Sequence, residues 1–296
     1  MSEQTGPIVV GYDADRSGTD ALALGLRLGT ALSRPVIVAK VHADPAPIGA
    51  GRVDAEWVAD RRAASAAVLE TAQRQAEKLA RPGSRIDYRL VPSSSAARGL
   101  SDLAEQEDAG MIVVGSAATE GFERRVFAGS TASRLLSGAH CPVTVAPKGL
   151  AEHGWPAELR IGVGYLPTDE GELALRAATE AARASGGSLH LFTVVAPEAS
   201  VVPWLIGVDG EKAFTATARE GYQAALDQAA AGAPIPVRTS LLIGDVVDRL
   251  ADLPDIDLLF CGSRGYGPVR RVLLGGVSSR LVRRSVNPLV VIPRPA

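Results

Sequence analysis

Little in this sequence points to metal, redox or membrane chemistry. The only two cysteines, Cys141 and Cys261, allow no framework of disulfides and suit a reducing compartment. The four histidines, His42, His140, His153 and His190, show no metal-ligand spacing with one another or with the cysteines. Aromatic residues are only 4% of the chain, so its cores must be aliphatic. A formal net charge of -2 leaves no electrostatic footprint for nucleic acid or an anionic membrane. No apolar run approaches a membrane span, and Met1–Pro7 lacks the basic and apolar regions of a signal peptide. The expectation is a cytoplasmic protein with neither nucleic acid nor membrane as a partner.

What is present is a repeat. Hydrophobic residues at 46% and charged residues at 22% describe a globular chain, and 296 residues suffice for two domains. Pro7-Ile8-Val9-Val10-Gly11-Tyr12 returns as Leu159-Arg160-Ile161-Gly162-Val163-Gly164-Tyr165. Val36–Val41 returns as Leu189–Val194, and the step from Tyr12 to Val41 equals that from Tyr165 to Val194, 29 residues. Met111-Ile112-Val113-Val114-Gly115-Ser116 answers Leu258-Leu259-Phe260-Cys261-Gly262-Ser263. Cys141–Pro147 answers Asn287–Pro293. Four blocks recurring in one order mark a tandem duplication, with domains at 1–149 and 157–296 and a join near Lys148–Pro156.

Each half reads as alternating strands and helices. A short strand (Ile8–Gly11; Ile161–Gly164) leads to an amphipathic helix with Ala21, Leu24, Leu28 and Ala31 on one face, or Leu173, Ala177, Ala181 and Ala184 in the second half. A second strand, a loop rich in Pro and Gly, and a long helix follow (about Glu56–Leu79; about Gly210–Ala231). A third strand (Ile86–Val91; Val237–Ile243), a short helix, a fourth strand, a glycine loop, a last helix and a Pro-flanked fifth strand complete the half. The pattern predicts α/β architecture: two Rossmann-like domains, each a five-stranded parallel sheet of order 3-2-1-4-5 flanked by helices. The fifth strands, Pro142–Ala146 and Pro288–Ile292, are too apolar to stand as open edges. They are expected to meet antiparallel and make an internal pseudo-dimer, with a homodimer as a further possibility.

The candidate site follows from where such sheets bind ligands, at the carboxyl ends of strands where strand order reverses. Here that is between strands 1 and 4. Strand 4 of the second half exits into Gly262-Ser263-Arg264-Gly265-Tyr266-Gly267, and Gly275-Gly276-Val277-Ser278 opens the segment Ser279–Arg284, which reads as a helix. A strand, a glycine loop and a helix N-terminus can cradle phosphates with backbone N–H groups. The loop has neither the lysine of a P-loop nor dinucleotide spacing, and a tight turn without ligand explains it equally. Strand 1 of the first half exits into Tyr12-Asp13-Ala14-Asp15. Asp13 is either a carboxylate for ribose hydroxyls or a turn or cap residue before the helix.

Both halves resemble domains of the universal stress protein family, Rossmann-like cytoplasmic proteins of which many bind ATP. The resemblance rests on Val-Gly-x-Asp at strand 1 and on a glycine, two residues, a glycine, nine residues, then glycine and serine or threonine after strand 4. It covers nearly the whole chain, twice. In the first half it implies ribose contact at Asp13, adenine contact at the Val41 backbone, and phosphate contact at Gly115, Gly129, Ser130 and Thr131. There Ala118 replaces the second glycine, the spacing is one residue too long, and Glu120 and Glu123 add negative charge. In the second half it implies phosphate contact at Gly262, Arg264, Gly265, Gly275, Gly276, Val277 and Ser278. There Gly276 replaces the serine or threonine, and Leu166 stands at the aspartate position. ATP or a related adenine nucleotide, with or without Mg, is expected in at least one half, the first being slightly favoured.

Other candidates have plainer accounts. His42 either lines the adenine pocket or sits half-exposed at a strand end. The cysteines read as small core residues, with redox sensing as the alternative. Arg124-Arg125, Arg270-Arg271 and Arg283-Arg284 are solvated pairs or phosphate contacts. Trp204, within the apolar stretch Val201–Val208, marks a loop that caps or contacts something. No triad order or nucleophile elbow appears, and Ser130, Asp15 and Arg264 make a poor set for hydrolysis, so no enzyme activity is expected. The reading is a nucleotide-responsive stress-response regulator. The alternatives are a nucleotide-free interaction or scaffold protein with decayed sites, and a slow ATPase.

Overall fold

The computed structural model describes residues 6–43, 55–117, 125–195, 203–263 and 276–293, with the backbone alone for 43, 55–58, 203–216 and 218. The first half runs β1 (Ile8–Gly11), α1 (Arg16–Ala31), β2 (Val36–Ala43), α2 (Ala55–Leu79), β3 (Ile86–Ser93), α3 (Ala96–Gln106), β4 (Met111–Gly115), α4 (Ser130–Gly138) and β5 (Val143–Ala146). The second runs β6 (Arg160–Gly164), α5 (Asp169–Ser185), β7 (Ser188–Val195), α6 (Pro203–Gly232), β8 (Val237–Ile243), α7 (Val246–Ala251), β9 (Leu258–Gly262), α8 (Gly276–Leu281) and β10 (Leu289–Ile292).

The ten strands form one sheet of order β3-β2-β1-β4-β5-β10-β9-β6-β7-β8. Within each half the pairing is parallel, as crossover helices require. Between halves it is antiparallel, with Leu289 opposite Val145, Val290 opposite Thr144 and Val291 opposite Val143. The fifth strands thus cover each other's edges, as expected of such apolar segments.

Side chains alternate across the strands and feed two cores. Ile8, Val10, Val36, Val38 and Val113 join α1 and α2 on one face, while Val9, Ile37, Ile112, Val143 and Val145 join α3 and α4 on the other. The long apolar runs of β4 and β9 are therefore buried on both faces.

Three expectations need correcting. In α5 the buried stripe is Ala174, Leu175, Ala178, Ala181 and Ala182, whereas Leu173 and Ala177 are half-buried and Ala184 is exposed. The helix is so rich in alanine that a second apolar stripe lies one residue away. The last helix of the second half begins at Gly276 and ends at Leu281, with turns through 282–284, rather than spanning Ser279–Arg284. Helix α6 begins at Pro203, so Pro203–Val208 is helical and not loop. Proline at a first helical position is well suited to start it. The preceding Val201 and Val202 lie outside the described residues.

The connection between halves is strapped to α1. Gly149 has φ +80, conformationally easy for glycine, and starts a 3-10 turn at Leu150–Glu152. Arg27 of α1 donates to the Leu150 carbonyl at 3.0 Å and the His153 carbonyl at 2.7 Å, with its guanidinium 5.6 Å from the Trp155 ring centre. Arg16 pairs with Glu152 at 2.9 Å. Among the described residues no helix is long and apolar enough to cross a membrane.

Candidate functional site

The exits of β1 and β4 flank a cleft of about 210 Å³ in the first half. Its walls include Asp13, Lys40, Val41, Gly115 and Thr131. Four of these residues were expected to meet a nucleotide, and they come from four separate chain segments. Each is placed by local structure. Asp15, not Asp13, caps α1: its carboxylate accepts the Gly18 N–H at 2.7 Å. Asp13 is left to face the cleft, accepting the Ala14 N–H at 2.9 Å and meeting the Lys40 ammonium at 2.7 Å. Beneath them Tyr12 is buried and donates to Gln75 at 3.1 Å. Burial first, then Asp13 and Asp15, raises its phenol above the ordinary value, so it stays neutral.

The β4 exit shows why a glycine is needed there. A Cβ on Gly115 would lie 2.0 Å from the Ser17 carbonyl oxygen, so the strand could not pass under the first turn of α1 with any side chain. Ser116, also buried, then ties the returning segment down by accepting the Phe127 N–H and donating to the Phe127 carbonyl at 3.1 Å. That segment delivers Gly129 as the N-cap of α4, with no side chain to cap the helix. Thr131 in the first turn lines the cleft, and Ser130 beside it is exposed. A helix start of this kind offers backbone N–H groups to an anion. Ala118, Glu120, Glu123 and Arg124 lie outside the described residues.

The matching cleft of the second half is smaller, about 130 Å³, and mostly apolar. Leu166 stands at the place of Asp13, Phe192 at that of Ala39 and Val277 at that of Thr131. Thr193, at the place of Lys40, is buried and donates to the Tyr165 carbonyl at 2.8 Å. Gly262, Val277 and Ser278 do line this cleft. The Ser278 hydroxyl, however, donates to the Gly262 carbonyl at 2.9 Å, which locks the strand exit to α8. Gly276 opens α8 with open space where a Cβ would be. Arg264, Gly265 and Gly275, with Arg270 and Arg271, lie outside the described residues.

A larger cavity than either cleft, about 710 Å³, lies elsewhere among the described residues, between α5 and the end of α6. It is a groove walled by Glu172, Arg176, Glu180 and Ala229, with no glycine loop, so size alone is a poor guide here. Among the described residues no cluster of three or more His, Cys, Asp or Glu could hold a metal ion. His42 is half-buried at the end of β2. Both cysteines are buried and free, which suits packing.

Lys40 was missed in the sequence. Its signal was a lysine inside an otherwise apolar strand, but its partner becomes visible only when β1 and β2 pair.

Two clefts at topological switch points, related by an internal repeat, define a duplicated doubly wound α/β protein. The chain belongs to the universal stress protein family, whose model matches residues 5–147 and again 159–293. It is 29% identical over 296 residues to a universal stress protein of Mycobacterium tuberculosis, covering 97% of this chain and 99% of that one. A universal stress protein from Archaeoglobus fulgidus shares the fold at TM-score 0.68 and 19% identity, covering 99% of this chain and 100% of that one. A functionally unknown protein from Pseudomonas aeruginosa does so at TM-score 0.67 and 14% identity, covering 99% and 94%.

Proposed function

We propose that this universal stress protein binds ATP, or a related adenine nucleotide, in its first half and acts as a stress-response regulator through occupancy rather than turnover. One observation carries the reading: the cleft at the β1–β4 reversal gathers Asp13, Val41, Gly115 and Thr131 into a single wall set. The residues fit the ligand's parts. Asp13 offers acceptors to ribose hydroxyls, the β2 end at Val41 offers backbone to the base, and Gly129, Ser130 and Thr131 at the start of α4 face the phosphates. Any Mg would be held chiefly by the phosphates, since the described residues supply no metal cluster of their own.

The second cleft lacks the carboxylate and narrows around Leu166 and Phe192. One nucleotide per chain is therefore the expected stoichiometry. Titration calorimetry with ATP tests this on wild type, Asp13→Ala and Leu166→Ala. Asp13→Ala should weaken binding by about one to two decades, the worth of hydrogen bonds to a charged group. Leu166→Ala should leave it unchanged. No heat at millimolar ATP in wild type would discard the nucleotide and favour the interaction protein.

A further inference from the structure

The ion pair inside the first cleft has a geometry that a mere surface pair does not need. The Asp13 side chain is 62% exposed and that of Lys40 only 16%. A carboxylate so open to water would ordinarily swing about its last torsion, which has broad minima. Here one oxygen is held by the Ala14 N–H at 2.9 Å and the other by the Lys40 ammonium at 2.7 Å. Lys40 is anchored in β2, whose neighbouring Ala39 is in register with Gly11 of β1, and its side chain is largely buried, which limits where the ammonium can go.

An ionised carboxylate has about four acceptor positions, two on each oxygen. Ala14 and Lys40 each take one, on different oxygens. What remains is one acceptor per oxygen, on a side chain that lines the cleft. That is a receptor for two adjacent hydroxyl donors. In the second half both members of the pair are gone together, with Leu166 and Thr193 in their places, and Thr193 is turned to the Tyr165 carbonyl.

We infer that Lys40 is a positioning residue: by pinning Asp13 it makes the first cleft select ligands that carry a cis-diol, ribonucleotides over 2′-deoxyribonucleotides. The inference rests on the nucleotide reading above. Without Lys40 the carboxylate still attracts hydroxyls but no longer presents both acceptors at once, so affinity and selectivity fall together.

Calorimetric titration with ATP and with 2′-deoxy-ATP tests it on wild type, Lys40→Met, Lys40→Gln and Lys40→Arg, each checked for an unchanged thermal midpoint. Wild type should prefer ATP by about tenfold or more, the worth of one hydrogen bond to a charged acceptor. Lys40→Met and Lys40→Gln should weaken ATP and bring the two ligands within about threefold of each other, and Lys40→Arg should keep the preference. An ATP to 2′-deoxy-ATP ratio unchanged in Lys40→Met and Lys40→Gln overturns the role of Lys40 and leaves the nucleotide reading intact. A wild type that binds neither ligand overturns both.

Discussion

The Asp20 carboxylate, buried in α1, accepts the Gly149 N–H at 2.7 Å and the Ala151 N–H at 2.8 Å. A side chain of the first half thus caps the turn that leads into the second, on the same helix whose first turn forms one wall of the first cleft. Removing it leaves two backbone donors of the connection without their acceptor. Asp20→Ala should cost about 1–3 kcal/mol, read as a shift of the urea midpoint at neutral pH. A midpoint within error of wild type would show that water replaces the carboxylate without loss.

The same residue sets a pH dependence. Burial raises the Asp20 carboxyl above its ordinary value, outweighing the Ala151 and Gly149 N–H donors that favour the ionised form. The folded chain then holds this proton more tightly than the unfolded one. Its contribution is fully present below the unfolded-state value, about 4, and is lost as pH rises through the raised folded value. Asp20→Asn does not titrate there. The stability of wild type relative to Asp20→Asn should therefore fall as pH rises through that window, in urea melts at stepped pH. Parallel curves for the two proteins would remove Asp20 as the cause.

Gly115 and Gly129 belong to one motif but answer to different constraints. Alanine at 115 would put its Cβ 2.0 Å from the Ser17 carbonyl oxygen, a backbone atom that cannot swing away as a side chain could. Alanine at 129, where φ is -69, would meet the Ala117 Cβ at 3.1 Å, a contact that small shifts relieve. Without nucleotide, Gly115→Ala should lose about 1–3 kcal/mol or fail to fold, and Gly129→Ala should stay within about 1 kcal/mol of wild type. Equal losses in chemical denaturation would mean that the strand exit adapts more than its packing implies.

At the seam between halves Thr144 pairs across the sheet with Val290, and its hydroxyl is buried with no partner among the described residues. Valine fills nearly the same space without a hydroxyl to desolvate. Thr144→Val should raise stability by about 0.5–2 kcal/mol, seen as a higher thermal midpoint. A lower midpoint would reveal a partner for the hydroxyl.

Burial pushes the thiols of Cys141 and Cys261 each up to about 12, although Ser278 beside Cys261 works the other way. Thiolate, the reactive form, is then scarce at neutral pH. A thiol-disulfide reagent should label neither cysteine in native protein over minutes and both at once after unfolding in urea. Rapid labelling of the native chain would restore redox sensing as a role.

Most of the fold was legible because its signals are local and repeated. Strands of period two, helices between them and four blocks in the same order leave little room for another topology. The antiparallel seam followed from the apolarity of Val143–Ala146 and Leu289–Ile292, which could not face water. The misjudged places are those where local signals are degenerate. In α5, alanines at 174, 177, 178, 181, 182 and 184 fit two stripes, and only packing on β6 and β9 selects one. At α6, the apolar residues after Pro203 have no periodicity that distinguishes a helix from a loop.

For the site, the sequence determined which residues stand at strand exits: Asp13 after β1, Val41 near the end of β2, Gly115 at the end of β4. Their spacing and the resemblance of both halves to one family named them before any coordinates did. It also showed that neither half keeps the whole pattern. Tertiary structure decided what each of these residues does. Asp15 rather than Asp13 became the helix cap, Gly115 proved to be required by the Ser17 carbonyl, and Ser278 turned its hydroxyl to the Gly262 carbonyl. The pairing of Lys40 with Asp13 depends on the register of two strands joined through a helix. Such a register is fixed by packing across the whole sheet, and so it could not be read from either strand alone.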